Sequence, residues 1–455
     1  VLKWIYGIEL ASGPVPVVAL GVGALALAYL LIRRSPKWWI FAAVSAVASA
    51  AAAMALCWAV INVWYWWPED LPTTIVVCVG FAIWGLALGL ATALLGLGRA
   101  VRHARTARHG VSGLPRQTSP VRRLTAVVAA VAVLSVSALQ INAYFGEYPT
   151  VGSLVHGAPI LAEGIPHYLT KKDAVRYRAL PVKDGWRTPR VMPASGDFRQ
   201  VTIPGTRSHF DARPAIVYLP PAYFARSRPL LPVVVLVAGQ PGAPSDWLQS
   251  GHLAQTLNTY AHAHDGLAPV VVMPDPNGSE TGNTMCMNSE LGRVDTYMAV
   301  DVPHWITHTL NVDLNHRHWA VAGFSYGGTC AVQMVTRHPN VYGSFAAISP
   351  EREPALTANR AVTIQRAFNG HTTAFNAVVP MTLLKDRKYP EIDGWFASGQ
   401  QDPVYMKNVA TLASAGRKAG MKLTTTSFPG GHSWVMVSQA LPVAFAFLGA
   451  RLGLQ

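Results

Sequence analysis

Three short stretches hold side chains that together could carry out acyl chemistry. The first is "GFSYGG" (323–328), where Ser325 lies between Gly323 and Gly327 at G-x-S-x-G spacing. A serine hydroxyl is a weak nucleophile alone: it needs a base to take its proton and an acid to orient that base. Downstream, "WFASGQQDPVY" (395–405) supplies Asp402 and "SFPGGHSW" (427–434) supplies His432. His432 would accept the Ser325 proton, and Asp402 would hold the imidazole in the useful tautomer. Asp393 and Glu391 precede the intervening strand and are poorer choices of acid. A developing oxyanion needs two fixed backbone donors. The amide of Tyr326, directly after the nucleophile, is one; the amide of Gln240, in "AGQPGAPSDW" (238–247), is the other.

The motif is short, so its meaning depends on the elements that hold it. From residue 199 onward, β-branched runs alternate with helix-length segments. The runs are 199–205, 214–220, 231–239, 269–275, 318–324, 343–349, 393–399 and 422–428, with helical segments such as 295–310 and 327–338 between them. Continuous apolar strands separated by helices predict a mostly parallel sheet covered on both faces. Ser325 follows the strand "HWAVAGF" and precedes the helical "GTCAVQMVTRHP", the strand, sharp turn and helix of a nucleophile elbow. Gly323 and Gly327 would leave room for that turn. Asp402 and His432 each lie just past a strand end, and the chain order Ser, Asp, His fits this arrangement.

The front of the chain has a different composition. Four stretches, 14–32, 38–61, 73–97 and 124–145, are apolar, lack Asp, Glu, Lys and Arg, and approach or exceed the length that spans a bilayer. Arg33, Arg34 and Lys37 separate the first two; Arg99, Arg102, Arg105, Arg108, Arg116, Arg122 and Arg123 separate the last two. Both loops are therefore expected in the cytoplasm. The loop "WYWWPED" (64–70), the N-terminus and everything after residue 146 are expected outside. Residues 1–146 carry 11 Lys and Arg against 3 Asp and Glu, which is +8 of the total +14. More than half of the basic excess thus follows from topology. No basic run interleaved with aromatics marks a nucleic-acid partner. No cleavable signal pattern is evident, so the first span is expected to stay as an anchor. The expected organisation is a four-span α-helical membrane domain (1–146), a Pro- and Gly-rich linker or apron (147–198) and an α/β domain (199–455).

From about 199 to 450 the chain resembles the putative-esterase branch of the α/β-hydrolases, which includes S-formylglutathione hydrolases, feruloyl-type esterases and secreted mycolyltransferases. The resemblance rests on "GFSYGG", on "VDTYMAVDVPHWI" (294–306) before the nucleophile strand, on "ASGQQDP" (397–403) and on "GGHSW" (430–434). It implies an α/β-hydrolase domain and acyl-ester chemistry through a covalent acyl-serine. Two features depart from the better-known relatives: "VAGQPG" (237–242) replaces an "HG" form in the loop carrying the second oxyanion donor, and secreted mycolyltransferases lack the four spans.

Cys57 and Cys78 lie in apolar spans, where they read as small packing residues. Cys286 and Cys330 belong to loop and elbow at one edge of the sheet, so a disulfide is expected in an oxidising space, two buried free thiols being the alternative. No CxxC or HExxH occurs, and His262 and His264 are two apart, on different faces of a helix. No catalytic metal or other cofactor is expected. The segment 351–390 is long for a connection, and reads either as a cap over the acyl site or as a helical excursion.

The expected function is a membrane-anchored serine esterase of the cytoplasmic membrane, with its catalytic domain outside, acting on an acyl ester of an envelope lipid or glycolipid; aminoacyl lipids are an equally legitimate class. Membrane lipids are the expected partners. Acyl transfer to a sugar or lipid hydroxyl is the alternative, and a non-catalytic envelope scaffold is the second. A transporter is disfavoured, because the spans hold no ionisable residue in their apolar cores.

Overall fold

The computed structural model describes residues 2–33, 35–106, 120–170 and 182–455. Arg34, Arg108 and Arg116 of the basic loops, and residues 171–181 of the linker, lie outside the described residues. Two compact units form: Val1–Trp64 with Glu69–Leu154, and Tyr65–Pro68 with Val155–Gln455.

The first unit is built on four helices, α1 (Pro14–Leu31), α2 (Pro36–Asn62), α3 (Thr73–Thr106) and α4 (Pro120–Phe145). Pro14 and Pro36 stand in the first turns of α1 and α2, where the missing N–H costs nothing. Large apolar side chains such as Val17, Leu25, Val47, Leu90 and Val128 face outward, as in helices surrounded by hydrocarbon. Inside the unit small residues permit close approach. A Cβ built on Gly89 would lie 2.4 Å from Ala130 Cβ, and one on Gly85 would lie 2.7 Å from Val133 Cγ1, so these two glycines, four apart, seat α3 against α4. Arg33 donates to Thr92 Oγ1 at 2.6 Å and lies over the Trp38 ring.

Among the described residues, five helices are long and apolar enough to cross a membrane. Four belong to the first unit, with α3 qualifying over Thr73–Leu94; the fifth is Trp434–Arg451. The sequence reading counted only four such stretches. Val437, Leu441, Phe445 and Leu448 of the fifth are buried in the core of the second unit, a reason for its apolarity that needs no bilayer.

Among its described residues the second unit has eleven strands: β1 (Ala162–Glu163), β2 (Asp197–Val201), β3 (Ala215–Leu219), β4 (Val233–Val237), β5 (Val270–Met273), β6 (Asn288–Ser289), β7 (Gly292–Arg293), β8 (Trp319–Phe324), β9 (Ser344–Ile348), β10 (Asp393–Gly399) and β11 (Lys422–Phe428). Nine form one sheet in the order β1-β2-β3-β5-β4-β8-β9-β10-β11, and β6 and β7 pair apart from it. From β5 to β11 every pairing is parallel; β3 is antiparallel to both β2 and β5. The unit is an α/β-hydrolase-like domain. All eight expected runs are strands, while β1 and the β6–β7 pair were not expected. "VVVLV" of β4 and "WAVAGF" of β8 are buried throughout, as strands covered on both faces must be. The Thr-rich β11 ends the sheet with none of its residues fully buried.

β2 begins before the expected run 199–205 and ends within it. The chain leaves the ladder after Val201, and the carboxylate of Asp301 accepts from the amides of Arg207 and Ser208 at 2.9 Å. Before β8, a turn at Val294–Thr296 and a wider turn at Tyr297–Asp301 run into α5 (Val302–Thr309). Asp295 ties this segment to the end of the helix after Ser325, accepting from Arg337 at 2.7 and 3.0 Å and lying 2.9 Å from His338 Nε2. Burial pushes the Asp295 carboxyl up, but the hydrogen bonds and charges of His338 and Arg337 outweigh it and hold the group below its ordinary value. A depressed carboxylate stabilises the fold above its unfolded pKa and loses that contribution as pH falls through the folded one. Asp295→Asn is expected to cost about 3 kcal/mol near neutrality. The difference from wild type should shrink as pH falls below about 4. Thermal unfolding of the detergent-purified chain across pH 3–7 measures both.

Candidate active site

β8 delivers Ser325 into a turn so tight that its φ is +56°, a left-handed conformation that a non-glycine residue adopts rarely. The elbow is possible because of what lies beside it. A Cβ on Gly323 would lie 2.3 Å from the Gly327 carbonyl carbon, and one on Gly327 would lie 2.0 Å from the Val237 oxygen. The Ser325 amide donates to Ile348 O at 2.9 Å, and its carbonyl accepts from the Thr329 amide and hydroxyl at 2.9 and 3.0 Å. Thr329 in turn accepts from the Glu351 amide, tying the elbow to the loop after β9. Helix α6 (Tyr326–Arg337) begins at the next residue. The Tyr326 amide is thus in the first turn, where no intrahelical acceptor exists.

Asp402 and His432 meet Ser325 at the same edge of the sheet. His432 Nε2 lies 2.9 Å from Ser325 Oγ, and Nδ1 lies 3.2 Å from Asp402 Oδ2. The three are 7, 7 and 8% exposed for Ser325, His432 and Asp402, so the hydrogen bonds form largely out of water. Asp402 also caps α7 (Pro403–Lys418), its Oδ1 accepting from the Tyr405 amide at 3.3 Å. The loops that carry Asp402 and His432 are stitched together: the Gln401 amide donates to Gly430 O at 2.9 Å, the Gln400 amide to Phe428 O at 2.8 Å, and the Gly430 amide to Gln401 Oε1.

Gln240 is buried in the loop after β4, and the same loop approaches Ser325, since a Cβ on Gly239 would lie 3.8 Å from Ser325 Cβ. Arg213 fixes this loop. It pairs with Asp275 at 2.8 Å while donating to Gly242 O at 2.7 Å. The Gly242 amide donates to Glu280 O at 2.8 Å.

The family model described as "Putative esterase" matches residues 210–448, more than half of the chain. The chain belongs to this esterase family. It is also 33% identical over 449 residues, 96% of its own length, to an uncharacterized protein of Corynebacterium glutamicum, covering 95% of that protein. Among solved structures it is similar to a ferulic acid esterase, at 16% identity over 56% of this chain and 99% of that one, with a TM-score of 0.49. An S-formylglutathione hydrolase from Agrobacterium tumefaciens matches at 16% identity over 58% of this chain and 99% of that one, with a TM-score of 0.48. MPT51 of Mycobacterium tuberculosis matches at 20% identity over 56% and 98%, with a TM-score of 0.41. The esterase is accordingly an enzyme of the serine hydrolase or acyltransferase class.

The esterase carries a disulfide between Cys286 and Cys330, which are 44 residues apart. It joins α6 to the loop before β6, and the Tyr326 hydroxyl reinforces that join, lying 2.8 Å from Thr284 Oγ1 and accepting from the Cys286 amide at 2.9 Å. Burial raises the Tyr326 phenol far above its usual range, so it stays protonated. Closing a 44-residue loop restricts the unfolded chain by roughly 4 kcal/mol on the chain-entropy estimate. Cys330→Ser is therefore expected to lower the thermal midpoint by several degrees, checked by thermal unfolding with and without reductant; reductant should lower the wild type toward the variant.

The 351–390 segment holds three short helices, Arg360–Phe368, Thr372–Asn376 and Pro380–Asp386. Leu356, Ile364, Phe375 and Val379 form a second small hydrophobic core with Met285 and Met287 from the disulfide loop, separate from the core under the sheet. Tyr65 packs against it. Tyr405, Phe324 and Trp67 surround the His432 ring, with centroids 4.0, 4.8 and 6.4 Å away. Sequence reasoning did not find Tyr405 or Trp67. Tyr405 had a faint signal, three residues into the helix that Asp402 caps; Trp67, far away in the chain, had none.

Proposed function

We propose that the protein is a membrane-anchored serine esterase that cleaves an acyl ester of an envelope lipid or glycolipid through an acyl-serine on Ser325. The observation that carries this reading is the pair of contacts on one imidazole, Nε2 at 2.9 Å from Ser325 Oγ and Nδ1 at 3.2 Å from Asp402 Oδ2. Ser325 Oγ attacks the ester carbonyl carbon as His432 Nε2 takes its proton, and Asp402 stabilises the imidazolium through Nδ1–H. The amides of Tyr326 and Gln240 receive the oxyanion. When the tetrahedral species collapses, the C–O bond to the alcohol breaks and His432 returns the proton to the departing oxygen. A second nucleophile then attacks the acyl-serine by the same steps in reverse. Water gives hydrolysis; a sugar or lipid hydroxyl gives transfer.

In this reading α1 to α4 span the membrane, with the N-terminus outside, the Arg-rich connections in the cytoplasm and residues 155–455 outside. The Lys and Arg distribution supports that orientation. So does the placement of Tyr65–Pro68, from the loop expected outside, within the catalytic unit. An anchored enzyme meets a lipid-borne ester at high local concentration.

The test is mass spectrometry of envelope lipids incubated with the detergent-purified protein or with Ser325→Ala. A serine-dependent loss of one acylated lipid identifies the donor; free acid or a newly acylated acceptor separates hydrolase from transferase. No serine-dependent change, in a preparation whose Ser325 still reacts with a fluorophosphonate, overturns the lipid substrate.

A further inference from the structure

The connection between α2 and α3 supplies four residues, Tyr65–Pro68, to the catalytic unit. Each of the first three makes a contact that bears on the site. Tyr65 packs on the small core formed by Ile364, Phe375 and the disulfide loop, with the Arg366 guanidinium 4.9 Å from its ring centroid. Its φ is +56°, left-handed for a bulky residue, and such backbone persists only where its surroundings hold it. The Trp66 carbonyl accepts from Gln240 Nε2 at 3.2 Å, across 174 residues of sequence. The rings of Trp67 and His432 stand nearly perpendicular, with centroids 6.4 Å apart and planes at 80°.

We infer that Trp67 is a positioning residue for His432 and that the Trp66 carbonyl positions Gln240, so that this tetrapeptide is a working part of the esterase site. The inference rests on the reading of Ser325, His432 and Asp402 as the triad. An imidazole held by two hydrogen bonds can still tilt about its χ2, which is a broad torsion. Tyr405 and Phe324 bound the ring at 4.0 and 4.8 Å, and the Trp67 ring, at 6.4 Å, bounds it as well. A tilt that lengthens the Nε2 to Oγ contact slows every proton transfer in the reaction, since productive geometry tolerates little displacement. On the oxyanion side, Gln240 Nε2 has two acceptors, Trp66 O and Thr281 O, both at 3.2 Å. Removing the first leaves the residue proposed to donate its amide to the oxyanion held by one side-chain bond. Base and oxyanion loop are thus steadied by neighbouring residues of one segment, which Tyr65 anchors from behind.

The experiment uses the full chain in detergent, with three variants: Trp67→Ala, Trp67→Phe and Ser325→Ala. The readouts are the rate of labelling by a fluorophosphonate, kcat and KM for a p-nitrophenyl butyrate probe, and the thermal midpoint. Trp67→Ala is expected to label about tenfold more slowly, with kcat reduced similarly, as a misplaced base predicts. KM should change less than about twofold, since ground-state binding is not what is lost. The thermal midpoint should stay within about 2 °C, because the ring is only partly buried. Trp67→Phe, which restores an aromatic edge, should recover most of the rate. A wild-type labelling rate in Trp67→Ala, or a loss that Trp67→Phe does not restore, overturns the inference. If Trp67→Ala does not fold, Arg366→Ala loosens Tyr65 instead; slower labelling supports the inference and an unchanged rate overturns it. Labelling that persists in Ser325→Ala overturns the triad reading and this inference with it, whereas a silent Ser325→Ala beside an unaffected Trp67→Ala overturns this inference alone.

Discussion

Ser325→Ala in the full-length protein is expected to abolish fluorophosphonate labelling and to lower ester turnover by about 10⁵-fold or more, and His432→Ala should fall nearly as far. The two losses should be similar because the residues act as a unit. Without Nε2 the hydroxyl keeps its proton, and without Oγ the base has nothing to activate. Double replacement should therefore cost little more than either single change. Neither variant should unfold the protein. The elbow is held by backbone bonds, Ser325 N to Ile348 O and Thr329 N to Ser325 O, which do not involve the hydroxyl. The strain at φ +56° also remains with alanine, so the thermal midpoint should move little. The decisive pairing is a lost label with an unchanged midpoint. Turnover retained by Ser325→Ala would remove the triad from the mechanism.

How much of this was legible in the sequence depended on whether the signal was local. The strands β4, β5 and β8 are continuous apolar runs because both their faces are covered, and such runs are visible one residue after another. The elbow was legible for a steric reason: Gly323 and Gly327 sit where any side chain would enter backbone at 2.0 to 2.3 Å. Asp402 and His432 could be placed because each follows the end of a strand in its own neighbourhood. What stayed hidden was pairing across distance. The stitching of Gln401 to Gly430 joins two loops through one backbone bond and one bond to Gln401 Oε1, a pairing that a lone glutamine and a glycine do not announce in sequence. Trp66 and Trp67 lie in the loop expected outside, where aromatics at a bilayer surface need no further explanation from composition. Their contacts with Gln240 and His432 depend on a fold that brings residues 174 or more positions apart together. The helix Trp434–Arg451 shows the converse. Its composition resembles a span, and only its position in the core shows why it is apolar.

In the proposed mechanism hydrolysis and transfer share every step up to the acyl-serine, so the residues that would make the intermediate cannot by themselves select its fate. Selection rests on what reaches the acyl carbon next and on how well water is kept away. In that mechanism the rings of Tyr405, Phe324 and Trp67, which surround His432, are the groups that would keep water from the base.

Asp402→Asn is expected to reduce kcat by about 10³- to 10⁴-fold while leaving the fold intact, the second largest effect after loss of the nucleophile or base. The reason lies in how the carboxylate divides its two oxygens. Oδ1 accepts from the Tyr405 amide as the cap of α7, and Oδ2 faces His432 Nδ1 at 3.2 Å. An asparagine can keep the cap only by leaving its oxygen on the Tyr405 side, which turns its NH₂ toward the imidazole. Nδ1 must then accept instead of donate, and the proton moves to Nε2, where it points at Ser325 Oγ and blocks deprotonation. Retaining the cap therefore enforces the wrong tautomer. Asp402→Ala should behave differently: it loses the cap and about 1 kcal/mol of stability with it, yet leaves the imidazole free to sample the useful tautomer. The comparison is made by kcat on the butyrate probe together with thermal midpoints for the two variants. An asparagine variant with the lower kcat but the higher midpoint of the two supports tautomer control by Asp402; equal losses in kcat would mean that the carboxylate acts mainly through its charge on the imidazolium.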